Sequence, residues 1–153
     1  MTLADFIPEE GQRRIAQAIT EAEQLTSGEL CVHVTPYCRG ELMERARRTF
    51  DRLHLYRTRQ RNAVLIYVAF IDRCFAILGD QGINDRVPQD FWDDAVAMLK
   101  RHLQAGLPVD GICEAIKLIG RQLAEIFPIQ DDDVNELSNE VTFDNLPEDE
   151  PLA

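Results

Sequence analysis

Two apolar runs separated by three residues constrain this chain more than any other feature. Ala63-Val64-Leu65-Ile66-Tyr67-Val68-Ala69-Phe70 and Cys74-Phe75-Ala76-Ile77-Leu78 flank Ile71-Asp72-Arg73. Short runs rich in branched and aromatic residues read as strands, and so short a connector sends the second strand back antiparallel to the first. The pair then runs into a polar loop, Gly79 to Gln89, that begins Gly79-Asp80-Gln81-Gly82 and carries Asp85.

The segments around this hairpin complete an α/β pattern. Pro8-Glu9-Glu10 opens a helix, with proline in the first turn and acids at the positive end of the helix dipole. Ile15, Ala18, Ile19, Ala22 and Leu25 follow at helical spacing. Thr26-Ser27-Gly28 reads as a glycine stop, and Leu30–Thr35 as a strand rich in β-branched residues. From Gly40 to about Leu55, Leu42, Ala46, Thr49, Phe50 and Leu53 mark the inner face of an amphipathic helix, with Arg45, Arg47, Arg48 and Arg52 mostly elsewhere. Strand, helix and strand make a βαβ unit, so the first two strands are expected to be parallel with a right-handed connection.

After the polar loop, Phe91, Trp92, Ala95, Val96 and Leu99 line a helix that Gly106-Leu107-Pro108 breaks. A last helix, near Asp110 to Ile126, buries Ile112, Ala115, Ile116, Ile119, Leu123 and Ile126. The expected fold is an α/β/α three-layer sandwich: a small mixed sheet holding a parallel βαβ unit followed by an antiparallel hairpin strand. Trp92 reads as the anchor of its helix to the sheet.

A chain of 153 residues suits one domain, burying roughly 68–70% of its unfolded surface. The net charge of −11 is unevenly spread. Residues 129–153 hold nine acids (Asp131, Asp132, Asp133, Glu136, Glu140, Asp144, Glu148, Asp149, Glu150) and no Lys or Arg, leaving 18 acidic against 16 basic residues in positions 1–128. The expected organisation is therefore a domain over 1–128 and an acidic tail over 129–153, partly disordered from about residue 130 or docked. Leu137, Val141, Phe143 and Leu146 are its candidate docking residues. Such a tail repels phosphates, which argues against nucleic acid as a partner.

Cys31, Cys38, Cys74 and Cys113 show no C-x-x-C spacing and read as free thiols. The first residues lack the basic start and apolar core of a signal peptide. The longest apolar run, Ala63 to Ile71, falls far below the ~18 residues of a membrane helix. A cytoplasmic protein, not inserted in a membrane, is expected.

The predicted topology decides which acids can share a site. Asp72 falls where the first two strands end, and Asp80 at the opposite edge, roughly 17–20 Å away, so they cannot bind one ion. Glu29, Asn62 and Asp80 share an edge, and Asp85 can fold back to it through Gly82. Carboxylate and carbonyl oxygens suit a hard divalent cation, calcium or magnesium, rather than zinc. Glu29, Asp80 and Asp85 are therefore the candidate metal ligands, against the plainer reading of two turn formers and a solvated strand-end charge. His33, alternating with Cys31 and Thr35, reads as a core histidine with one satisfied hydrogen bond. Arg57, Arg59 and Arg61 read as a solvated approach to the second strand or a dock for the acidic tail. No D-x-D-x-T/V, C-x5-R or P-loop motif is present, so no catalytic residue is assigned.

The segments Thr26-Ser27-Gly28-Glu29-Leu30-Cys31-Val32, Arg61-Asn62-Ala63-Val64-Leu65-Ile66-Tyr67-Val68, the Gly79 loop and Asp110-Gly111-Ile112 together resemble the TPM-domain family over about residues 6–128. Its members include a thylakoid lumen protein described as an acid phosphatase and a photosystem repair factor. The resemblance implies a small α/β/α sandwich and a recurring link with divalent cations. It also implies work beside small bacterial membrane-associated proteins, and here a soluble bacterial branch. Where the family's loop usually reads Gly-x-Gly, this chain reads Gly79-Asp80-Gln81-Gly82. Two functions are expected to compete: a non-catalytic module binding a protein partner, with a divalent cation ordering the Gly79–Val87 loop, and a metal-dependent acid phosphatase-like phosphomonoesterase.

Overall fold

The computed structural model describes residues 1–129 and 137–144. Within them a mixed sheet of β1 (Glu29–Thr35), β2 (Ala63–Ala69), β3 (Cys74–Gly79) and β4 (Thr142–Phe143) runs in the order β3-β2-β1-β4. Strands β1 and β2 are parallel, from Glu29 opposite Ala63 to Thr35 opposite Ala69. Strand β3 returns antiparallel on β2, Val64 opposite Gly79 and Ala69 opposite Cys74. The βαβ unit and hairpin expected from the sequence are both present.

The described residues also form six helices: α1 (Leu3–Phe6), α2 (Glu9–Glu23), α3 (Leu42–Arg52), α4 (Gln81–Asn84), α5 (Asp93–Gln104) and α6 (Pro108–Ile126), with a 3-10 turn at Leu55–Arg57. Strand alternation sorts them into layers. Leu30, Val32, Val34, Val64, Ile66, Val68 and Ile77 join the core beneath α2, α5 and α6. Cys31, Leu65, Tyr67, Ala69, Ala76 and Leu78 join the smaller core beneath α3. The first core holds most of the buried aliphatic side chains, at about 1.5–3 kcal/mol each for full burial, and so carries most of the stabilisation.

Local chemistry shifts several boundaries. Helix α2 ends at Glu23, five residues before Gly28, so Gly28 is not its stop. A Cβ on Gly28 would lie 2.9 Å from Leu123 Cδ1 and 3.3 Å from the Asn62 carbonyl; the glycine lets β1 enter tightly packed between α6 and β2. The Thr26 hydroxyl donates to the Phe127 carbonyl, tying the same corner to the end of α6. In α3, Arg45 is buried beside Ala46 instead of facing solvent. Helix α6 starts at Pro108, where a missing amide costs nothing in the first turn. The residues read as a polar loop after β3 contain α4, because the Asp80 carboxylate accepts from the Gln81 amide at 2.7 Å and caps it. Trp92 packs over Gly79 on β3 and meets Phe91 edge-on at 4.7 Å between centroids, the anchoring role expected of it.

Strand β4 lies in the acidic segment expected to be partly disordered or docked. Residues 137–144 dock, with Thr142 and Phe143 pairing parallel to His33 and Val34. Disorder expected from about residue 130 does not apply to them. For 130–136 and 145–153, Leu146 included, that expectation lies outside the described residues.

Candidate functional site

The parallel pair places two of the three candidate metal ligands in one row. Glu29 lies opposite Ala63, and the Asp80 amide donates to the Ala63 carbonyl at 2.9 Å. Glu29 and Asp80 thus flank Ala63, two strands apart or roughly 10 Å between backbones. Asn62 closes the same edge, its carbonyl accepting from the Glu29 amide at 3.3 Å. Asp72 is at the far end, where its carboxylate accepts from the Cys38 amide at 2.8 Å. The topological separation of Asp72 from Asp80 holds.

Two of the three candidate carboxylates, Asp80 and Glu29, already have hydrogen-bond partners. Asp80, with its side chain 6% exposed, receives a two-pronged bond from Arg61, Nε at 2.7 Å and Nη2 at 2.9 Å, the fork geometry that suits a guanidinium to a carboxylate. The bond holds the Arg61 guanidinium above its ordinary pKa. Arg61, half-exposed, is therefore the partner of Asp80; it takes a left-handed backbone, φ 52°, that aims it across the edge. Glu29 accepts from the Leu137 amide at 2.7 Å. Asp85 closes the C-terminal end of α4 and is exposed.

The turn that leads to Asp85 packs against the Gln60–Arg61 backbone. A Cβ on Gly82 would lie 2.1 Å from the Gln60 carbonyl and 2.6 Å from that of Arg61. Gly82 is a point of close backbone approach, and its amide donates to the Arg61 carbonyl at 2.8 Å. Among the described residues no group of three His, Cys, Asp or Glu side chains is spaced to hold a metal ion.

A denser polar constellation lies under the docked segment, on the α3 face of β1. His33 is 2% exposed and stacks on Tyr67 with ring centroids 6.1 Å apart. Its Nδ1 lies 2.7 Å from the Thr142 hydroxyl, which itself donates to the Val32 carbonyl at 3.3 Å. Its Nε2 lies 3.2 Å from the Asp144 carboxylate. Both ring nitrogens are engaged, one more than a plain core histidine needs. Arg52 reaches Asp144 from the solvent side at 3.2 Å, and the Asp144 amide donates to the Val34 carbonyl at 3.1 Å. Burial opposes the Asp144 charge, but His33 and Arg52 outweigh it and hold the group below its ordinary value.

The segment's other end is anchored as well. Asn139 donates to the Thr20 hydroxyl at 3.0 Å. Glu23, whose carboxylate accepts from the Leu30 amide at 3.0 Å, is pushed up to about 7 by burial, against the pull of its bonds to Leu30 and Asn139. Burial likewise raises the Cys31 thiol to about 11, so it is no ready nucleophile. With residues 137–144 in place, His33 and Tyr67 are sealed from any substrate, and the constellation grips a peptide segment.

Sequence reasoning found Glu29, Asn62 and Asp80 at one edge but missed Arg61 as the partner of Asp80, and missed Thr142 and Asp144. The signal for the last two was faint: a Val141-Thr142-Phe143 run of strand formers inside an acidic stretch, and a strand histidine with no partner of its own.

No curated protein matches this chain. The family model for the TPM domain matches residues 1–122. The chain is also similar in fold and sequence to the BA42 protein of the psychrophilic bacterium Bizionia argentinensis, whose structure was determined by NMR. The TM-score is 0.88 and the identity 36%, over 94% of this chain and 99% of that one. The family match spans most of the chain, and this solved neighbour shares its strand and helix arrangement: the chain belongs to the TPM-domain family.

Proposed function

We propose that this chain is a non-catalytic protein-interaction domain that binds an extended, acidic segment of a protein partner by strand addition along the outer edge of β1. The observation that carries this reading is the grip of His33 and Arg52 on Asp144, with β4 paired to β1. Main-chain bonds at a sheet edge supply affinity, and pockets for alternate side chains supply selectivity. Residues 137–144 then act as an internal occupant that a partner must displace.

The test uses the full chain carrying Thr142→Val and Asp144→Asn, which loosens the internal segment. A capped peptide of residues 137–144 is titrated in and followed by amide NMR. Saturable shifts at Cys31–Thr35, weaker or absent in the unsubstituted chain, are the expected result. No binding at millimolar peptide would overturn the reading.

A divalent cation, calcium or magnesium, at Glu29, Asp80 and Asp85 is a secondary proposal. In its favour, Glu29 and Asp80 share one row of the sheet; against it, the ion has to displace Arg61 from Asp80. A calcium and then magnesium titration tests it, with shifts confined to Glu29, Asn62 and Gly79–Val87 expected. The alternative function, a metal-dependent phosphomonoesterase, draws its support from family resemblance alone. It predicts turnover that Asp80→Asn abolishes.

A further inference from the structure

At the opposite end of the sheet, where β2 finishes and the hairpin turns, a cavity of about 870 Å3 opens to solvent. It lies outside the carboxyl ends of the parallel strands, the place where open α/β sheets hold ligands, and its size falls within the range of small-molecule sites. Phe6, Phe70, Phe75 and Leu103 supply apolar walls, and Phe6 stacks on Phe70 at 5.1 Å between centroids. The mouth continues the apolar character: Met43, Ile71 and Leu107 are exposed, each next in sequence to a lining residue.

Two cations, Arg73 and Lys100, line the same cavity. Among the described residues neither makes an ion pair. The one lining acid, Asp5, is committed elsewhere: its carboxylate accepts from the Thr2 amide at 3.0 Å and closes the capping box of α1. Arg73 adopts a left-handed backbone, φ 57°, at the hairpin turn. That conformation is costly for a branched or long residue outside Asn, Asp and Gly.

We propose that this cavity binds a small anionic amphiphile, its apolar body against Phe6, Phe70, Phe75 and Leu103 and its carboxylate or phosphate held by Arg73 and Lys100. The two halves of the site select this class together. A bare anion leaves the aromatic walls wet, whereas a neutral hydrocarbon leaves both cations without a counter-charge. This proposal is independent of the β1-edge reading, because the cavity and β4 share no residue.

The experiment titrates the full chain with octanoate and with octyl phosphate, each below its micelle concentration, and compares octanol, octyltrimethylammonium and inorganic phosphate. Octanoate and octyl phosphate are expected to bind saturably, with amide shifts at Phe70–Phe75 and Lys100–Gln104. Arg73→Asn with Lys100→Gln, the Asn chosen because it tolerates the left-handed backbone, is expected to weaken both at least tenfold. Gln104→Trp, at an exposed lining position where folding is not at stake, is expected to block the mouth and weaken both as well. Equal binding of octanol or octyltrimethylammonium would overturn the proposal, as would inorganic phosphate binding as tightly as octyl phosphate. Association with anionic vesicles but with neither free amphiphile would overturn it too, since a charged surface and not the cavity would then be the cause.

Discussion

Asp144 lies 3.2 Å from Nε2 of His33, a residue 111 positions earlier and only 2% exposed, so one carboxylate of the acidic segment is drawn into the face of the sheet. Asp144→Asn keeps the shape and removes the charge. It is expected to cost about 1–3 kcal/mol and to speed hydrogen exchange at the residue 144 amide. Because the Asp144 pKa is depressed, its contribution is present above the ordinary carboxylate value and is lost as pH falls through the lower, folded value. The stability difference between the two proteins should therefore persist at pH 5 and close only in strong acid. Added salt should remove part of it, through the half-exposed Arg52 side of the contact.

Glu23 predicts the opposite slope. Its folded pKa of about 7 exceeds its unfolded value, so the folded state binds the extra proton and a penalty accumulates as pH rises from about 4.5 to 7. Glu23→Gln retains an acceptor for the Leu30 amide and has no charge to desolvate. Chemical denaturation should find it more stable than the parent by roughly 1–3 kcal/mol at pH 8. At pH 4 the two should agree.

Arg61 and Asp80 give a test that separates structure from metal binding. Arg61→Asn, which suits the left-handed backbone there, leaves the Asp80 carboxylate buried without its guanidinium. A loss of about 1–3 kcal/mol is expected by urea denaturation. If calcium binds at Glu29, Asp80 and Asp85, the same variant should bind it more tightly, since no displacement is needed. Unchanged calcium response would remove Asp80 from the ligand set.

Gly82→Ala places a methyl 2.1 Å from the Gln60 carbonyl. Both contacting groups are backbone, so relief requires moving the entry to β2. A loss of at least about 2 kcal/mol is expected, read as a lower denaturation midpoint. A tolerated alanine would mean that α4 can lift from the Arg61 loop.

The sheet's first three strands were legible because their patterns are local. The run Ala63–Phe70, the three-residue turn and Cys74–Leu78 dictate pairing and direction through chain connectivity alone, and with them the shared edge of Glu29 and Asp80. Glycine roles were not legible in the same way. Gly28 looked like a helix stop and Gly82 like a turn residue, yet both are small because another part of the backbone or core lies against them, a fact of three-dimensional approach.

The sequence by itself determined the layered α/β architecture and the family, since hydrophobic period, turn chemistry and strand order are written in neighbouring residues. Only the tertiary structure decided that Arg61 closes on Asp80 and that Asp144 closes on His33. Those partners are 19 and 111 positions apart. A charged side chain takes its partner from whichever counter-charge folding brings within hydrogen-bond reach, and no local pattern encodes that distance.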